Sequence, residues 1–194
     1  MEEDIEIKDW QKPFQIFPAL PDIQNTSDWI LEIGPGNGKF ILWMAQNHPQ
    51  KTFFTLELRN MRYQNVVEKT KKLKLNNLIS VHGDARYCLT ELLEKETLSE
   101  IFILFPDPWF KRRHYKHRLI NEERTELFHK LLKTVGKVWV ATDDAPYAEH
   151  IQQVFLEKHW EIQEGKSLFP TYFETKWKKM GRTIHYFCFV KKLL

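Results

Sequence analysis

The sequence has little cysteine, little glycine and no long apolar run. Its 194 residues contain two cysteines, Cys88 and Cys188, far apart and outside any CxxC or Cys/His cluster. A disulfide framework or a structural zinc site needs more thiols at closer spacing, so a reducing compartment is the natural setting. His82, His114, His117 and His185 show no metal-ligand spacing, and no metal is expected. No stretch approaches the length needed to cross a bilayer, so no membrane partner is expected. The opening Met1-Glu2-Glu3-Asp4-Ile5-Glu6 is acidic where a secretory leader is basic and then apolar. A cytoplasmic protein is expected. There is no internal repeat and no low-complexity tract.

What is present is enough for one core: 42% of the residues are hydrophobic, and the length fits a single domain. The formal charge is only +3, yet it is unevenly spread. Residues 1–100 carry 12 basic and 15 acidic side chains, whereas residues 101–194 carry 17 and 11. That asymmetry implies a polyanion docking on one side. Composition leaves open whether the chain acts as a monomer or a homodimer. Residues 1–27, with Pro13, Pro18 and Pro21, read as an irregular N-terminal arm, and residues 28–194 as one domain.

Apolar runs alternate with helical segments along that domain. Trp29–Ile33, Thr52–Glu57, Leu78–His82, Ile101–Phe105 and Val138–Thr142 read as strands. Between and after them, Lys39–Ala45, a Lys-rich stretch through about Leu73, Tyr87–Lys95, Glu122–Lys133 and Tyr147–Lys158 read as helices. This rhythm predicts an α/β fold with a mostly parallel sheet and helices on both faces. The last two strands, Trp160–Gln163 and Ile184–Val190, follow each other with a loop and no helix between them. They predict an antiparallel C-terminal hairpin.

Four acids, Glu32, Glu57, Asp84 and Asp107, lie at or just past the ends of predicted strands. In an open parallel sheet, ligands bind outside the carboxyl ends of the strands, so these side chains should converge on one pocket. A ring of carboxylates repels polyphosphate and attracts a cation. S-adenosylmethionine answers that demand with a sulfonium, an ammonium and a ribose diol, and has no phosphate. The glycines of Gly34-Pro35-Gly36-Asn37-Gly38 allow a tight turn and close backbone approach, with Gly38 easing entry into a helix. A dinucleotide fingerprint places its third glycine where this chain has Lys39. Glu57 is placed to take both ribose hydroxyls, and Asp84 to accept from the adenine amino group. The plainer alternative is that Glu32, Glu57 and Asp84 cap helices.

Phe105-Pro106-Asp107-Pro108-Trp109 holds Asp107 and Trp109 in a stiff, extended segment, because two prolines bar an immediate helix. Lys111-Arg112-Arg113-His114-Tyr115-Lys116-His117-Arg118 follows, a cluster suited to a phosphate backbone or simply to a solvated face. With Glu32-Ile33-Gly34-Pro35-Gly36, Gly83-Asp84-Ala85, Thr142-Asp143 and Thr171-Tyr172-Phe173-Glu174 in the same order, the chain resembles the bacterial tRNA (guanine-N7-)-methyltransferases from Glu32 almost to its last residue.

That resemblance implies a Rossmann-like class I S-adenosylmethionine-dependent methyltransferase that modifies a guanine in the variable loop (position 46) of tRNA. It implies cofactor contacts from Glu32, Gly34, Gly36, Glu57, Asp84 and Asp107, with Asp107 also catalytic. It implies a substrate site at Lys111, Asp143, Thr171 and Glu174. Phe110 stands where many members have histidine, so it receives no proton-transfer role. Asp143 also reads as a helix cap in competition with Asp144, and Thr171 as the opening of a turn after Pro170. Lys176, Lys178, Lys179 and Arg182, interleaved with Trp177, offer further phosphate contacts and a stacking surface. Two other functions compete: amino-group methylation of adenine or guanine, suggested by the Pro-Asp-Pro-Trp loop, and non-catalytic RNA binding with a vestigial pocket.

Overall fold

In the computed structural model, residues 15–17, 29–156, 159–167 and 171–192 are described. Their centre is a parallel run of strands, β2 (Trp29–Ile33), β3 (Thr52–Glu57), β4 (Leu78–His82), β5 (Leu98–Leu104) and β6 (Leu132–Thr142). A short edge strand, β1 (Gln15–Phe17), and two late strands, β7 (Trp160–Glu164) and β8 (His185–Lys191), complete one eight-stranded sheet. The order across it is β1-β4-β3-β2-β5-β6-β8-β7. β2 lies at the centre with every residue buried, as a strand covered on both faces must be.

Alternation along β2 divides the core in two. Trp29, Leu31 and Ile33 join one cluster with Leu89, Phe128, Ile151 and Phe155, which come from α3 (Ala85–Leu92), α4 (Glu122–Leu131) and α5 (Ala145–Leu156). Ile30 joins the other with Phe40, Ile41 and Val66, from α1 (Lys39–Asn47) and α2 (Asn60–Lys72). Helix α2 shows why it forms: Tyr63, Val66, Val67 and Thr70 make one buried stripe at helical spacing. Lys69, Lys71 and Lys72 sit in its last turn, favourably placed against the helix dipole.

Three expectations change. The N-terminal arm is not wholly irregular, because Gln15, Ile16 and Phe17 pair antiparallel with His82, Val81 and Ser80; the rest of the arm lies outside the described residues. The C-terminal strands do pair antiparallel, but helix α6 (Tyr172–Lys179) stands between them in sequence. β8 is inserted between β6 and β7 and runs antiparallel to both. β6 starts six residues earlier than expected, at Leu132, through an irregular stretch where Val135 has φ 54°. The basic run is a 3-10 helix, Arg112–His117, with none of its six residues buried. No helix among the described residues is long and apolar enough to cross a membrane.

Gly38, at the start of α1, leaves no room for a side chain against α2. Its φ is +76°, and a Cβ there would stand 2.9 Å from Val66 Cγ2. Gly38→Ala should therefore cost about 1–3 kcal/mol of stability, from left-handed strain and displacement of Val66. Urea denaturation at neutral pH checks this; an unchanged midpoint would show that the two helices give way freely.

Candidate active site

Strand β2 delivers Glu32 and the glycine turn to the carboxyl edge of the sheet, and β3 delivers Glu57 beside them. The Gly36 N–H donates to Glu57 Oε2 at 3.2 Å, and the Arg59 N–H donates to Oε1 at 2.9 Å. The carboxylate of Glu57 thus ties the turn after β2 to the turn after β3. Gly34 and Gly36 both have positive φ, and no neighbour comes within 4 Å of where their side chains would begin. The turn presents bare backbone. Lys69 Nζ secures its far end by donating to Asn37 O at 2.7 Å.

Glu32 is only 3% exposed, and its Oε2 has no hydrogen-bond partner. Burial, reinforced by the charge of Glu57, pushes its pKa from about 4.5 to about 8, against a backbone hydrogen bond at Ile41 that lowers it. A buried carboxylate oxygen without a donor is costly unless a ligand supplies one. An ammonium group together with a polar diol would meet that need at this turn, so the residues present fit S-adenosylmethionine.

Asp84 follows β4 and caps α3, accepting from the Arg86 N–H at 2.9 Å. Its carboxylate also takes the Arg86 guanidinium, with Nε at 2.9 and 3.0 Å. The helix-cap alternative therefore describes Asp84 at one of its oxygens, and Arg86 neutralises the charge.

Asp107 is exposed beyond β5, where its Oδ1 accepts from the Trp109 N–H at 3.0 Å. The segment around it is not simply extended. Phe105 has φ 58° and Trp109 φ 49°, so the Pro-Asp-Pro unit is bounded by two left-handed residues. Arg118 holds it in place: Nε donates to Pro108 O at 2.9 Å. The guanidinium lies 3.6 Å from the Tyr115 ring and 4.6 Å from the Tyr147 ring, and is 4% exposed. Arg118 is therefore removed from the solvated cations of the run, whereas Lys111, Arg112, Arg113 and Lys116 remain exposed.

On the other flank, Asp144 rather than Asp143 caps α5, accepting from the Tyr147 N–H at 2.8 Å. Asp143 is left to pair with Arg182. Thr171 caps α6 through its hydroxyl, which accepts from the Glu174 N–H at 3.1 Å. Glu174 is 3% exposed and accepts from Lys178 Nζ at 2.6 Å, Tyr186 OH at 2.7 Å and Ser167 Oγ at 2.9 Å. Burial alone pushes its carboxyl up, but these three donors outweigh it and hold the pKa below the ordinary value. Two of the four cations near Trp177, Lys178 and Arg182, are thus committed to carboxylates. Thr171 and Glu174 line a small pocket with Phe40, Phe102, Phe105 and Trp139. It lies at the carboxyl ends of β5 and β6, apart from Glu32, Glu57 and Asp84.

The sequence reading missed Arg86, Ser167 and Tyr186 as partners of the site acids, and Arg118 as the clamp on the Pro108 carbonyl. Only the Thr171-x-x-Glu174 spacing gave a local signal, that of a capping box. Among the described residues, no group of three His, Cys, Asp or Glu side chains is placed to hold a metal ion.

With β1 set aside, the strand order and the glycine turn after β2 define a class I methyltransferase. One solved structure that shares the fold is a 30S ribosomal A1408 methyltransferase from an uncultured bacterium. It has a TM-score of 0.63 and 18% identity, covering 88% of this chain and 90% of that one. A family model described as a putative methyltransferase matches residues 26–187. The tRNA (guanine-N(7)-)-methyltransferase of Nitrosomonas eutropha is 35% identical over 173 residues, 86% of this chain and 77% of that protein. Its counterpart in Aquifex aeolicus is 32% identical over 159 residues, 80% of this chain but 54% of that longer protein. The chain belongs to the tRNA (guanine-N(7)-)-methyltransferase family.

Glu32 makes stability depend on pH. Its folded pKa of about 8 lies above the ordinary 4.5, so between those values the native state holds a proton that the unfolded chain releases. Stability contributed by this group is complete below about pH 4.5 and is lost as pH rises towards 8. Glu32→Gln should then raise stability at pH 8 by on the order of 1 kcal/mol or more and flatten that decline. Urea titrations from pH 5 to 8.5 check it, the difference between variant and parent isolating Glu32 from other groups.

Proposed function

We propose that this chain transfers the methyl group of S-adenosylmethionine to N7 of a guanine in the variable loop (position 46) of tRNA. The observation that carries the reading is the orphaned, buried Oε2 of Glu32 beside a glycine turn of bare backbone held by Glu57. The names of the relatives support the tRNA guanine reaction. Residues 28–194 would form one methyltransferase domain, acting in the cytoplasm where tRNA is found.

S-adenosylmethionine, when bound, supplies a methyl group on a sulfonium, an electrophile that needs no further activation. Glu32 would hold its ammonium, Glu57 its ribose hydroxyls and Asp84 the adenine amino group, with Gly34 and Gly36 admitting close backbone approach. Guanine N7 has a lone pair and no hydrogen, so the chain needs no general base. Its work is to position the purine and tolerate the positive charge that the ring acquires. Asp107, exposed and fixed between prolines, is the residue to do both: its carboxylate can accept from a guanine N–H and lies beside the cationic product. Lys111 would bind the flanking phosphate. Asp143, Thr171 and Glu174 shape the substrate side, Glu174 through its hub with Lys178 and Tyr186. N7 is poorly reached in the deep, narrow major groove of an A-form helix, so the target base must be unstacked or irregularly placed.

Incubation with unmodified tRNA and methyl-labelled cofactor, followed by nucleoside analysis, should give 7-methylguanosine. Recovery of N6-methyladenosine or N2-methylguanosine would favour amino-group methylation, and cofactor binding without any product would favour an RNA-binding role. Asp107→Asn should lower turnover on the order of 100-fold or more with the fold intact. A defect confined to cofactor affinity would reassign Asp107 to binding.

Arg112, Arg113 and Lys116, exposed on the 3-10 helix, would pair with phosphates. Neutralising all three should reduce the slope of log affinity for tRNA against log salt by about 0.7–0.9 for each phosphate no longer neutralised. Filter binding between about 50 and 200 mM salt measures this. An unaltered slope would leave the helix as a solvated face.

A further inference from the structure

Phe110 leaves 75% of its surface in water, yet the chain beneath it is not a loose loop. Two residues earlier, the Pro108 carbonyl is held by the buried guanidinium of Arg118, itself stacked on Tyr115 and Tyr147. One residue earlier, Trp109 is fixed by its N–H to Asp107 and by ring contacts at 5.2 Å with His117 and 5.8 Å with His114. The phenylalanine is thus presented on a clamped pedestal, three residues from the proposed catalytic carboxylate. Immediately after it come the exposed cations Lys111, Arg112 and Arg113, with Lys116 one turn on.

Each part selects a ligand. The cations favour a polyanion, and a rigid apolar ring among them favours a polyanion that also carries flat, apolar faces. A nucleotide strand with unpaired bases has both, whereas an acidic peptide has only the charge. Because the loop is already ordered, little conformational entropy is lost when a base settles on the ring. We propose that Phe110 is a positioning residue that stacks on the base next to the target guanine, filling the gap as that guanine leaves its own stack. The inference rests on the proposed tRNA reaction and assigns Phe110 no part in the chemistry itself.

Phe110→Ala and Phe110→Trp test it in the full chain, with unmodified tRNA as the probe. The alanine variant should lose about 5- to 150-fold in kcat/KM for tRNA, the range that stacking on one base supports. Its affinity for S-adenosylmethionine and its thermal midpoint should match the parent, since the ring supports nothing in the fold. The tryptophan variant should recover most of the loss, because any flat aromatic face serves. An alanine variant with unchanged kcat/KM for tRNA overturns the proposal, as does a tryptophan variant no better than alanine. A parent chain that makes no 7-methylguanosine overturns the proposed function, and this inference with it. Parental activity with an indifferent Phe110→Ala overturns the inference alone.

Discussion

The carboxylate of Glu57, receiving the Gly36 and Arg59 amides, is the interaction on which the rest of the site depends. It joins the tips of two neighbouring parallel strands, and no side chain from the glycine turn could do so. Parallel pairing makes this possible, since β2 and β3 end at the same edge and in register, Ile33 beside Leu56. The same bond has an electrostatic consequence. An anion fixed at the tip of β3 raises the cost of ionising Glu32, buried one strand away. Near neutral pH a proton on Glu32 answers that repulsion, and a cationic ligand would take the proton's place on binding.

The opposite half of the edge handles charge differently. There two buried ions are answered internally: Glu174 by Lys178, Tyr186 and Ser167, and Arg118 by Pro108 and two tyrosine rings. Removing one partner from such a group leaves the other buried and unpaired, so these hubs are rigid rather than adaptable. The contrast divides the edge into a region left incomplete, around Glu32, and a region finished before any ligand arrives. Rigidity on the second side suits the proposed docking of a large polyanion in one orientation.

The central strands were legible because each is a short apolar run bounded by turn residues, and helices α1 to α5 because their apolar positions recur at helical spacing. The elements that escaped have no such stripe. Helix α6 buries a single residue, Glu174, which is charged. It is held by a Thr171 cap and a salt-bridged carboxylate rather than by an apolar face, so hydrophobic periodicity is blind to it. The 3-10 helix buries nothing, and β1 is three residues set among prolines. At the site, the acids could be read from strand ends, but their partners could not. Arg118 looks like one more solvated cation in a basic run until Tyr147, 29 positions later in the sequence, is folded against it. The exchange of roles between Asp143 and Asp144 turns on one helical register that composition does not specify.

The insertion of β8 between β6 and β7 orders events in time as well as space. Among the described residues, β7 has no sheet neighbour except β8. Until β8 is in place the backbone donors and acceptors of β7 therefore have no native edge to join. They wait until β8 has emerged and paired with β6, a gap of 20 residues between Glu164 and His185. For that interval the nascent chain carries an open β6 edge and an unpaired strand, the state in which β proteins are most exposed to wrong partners.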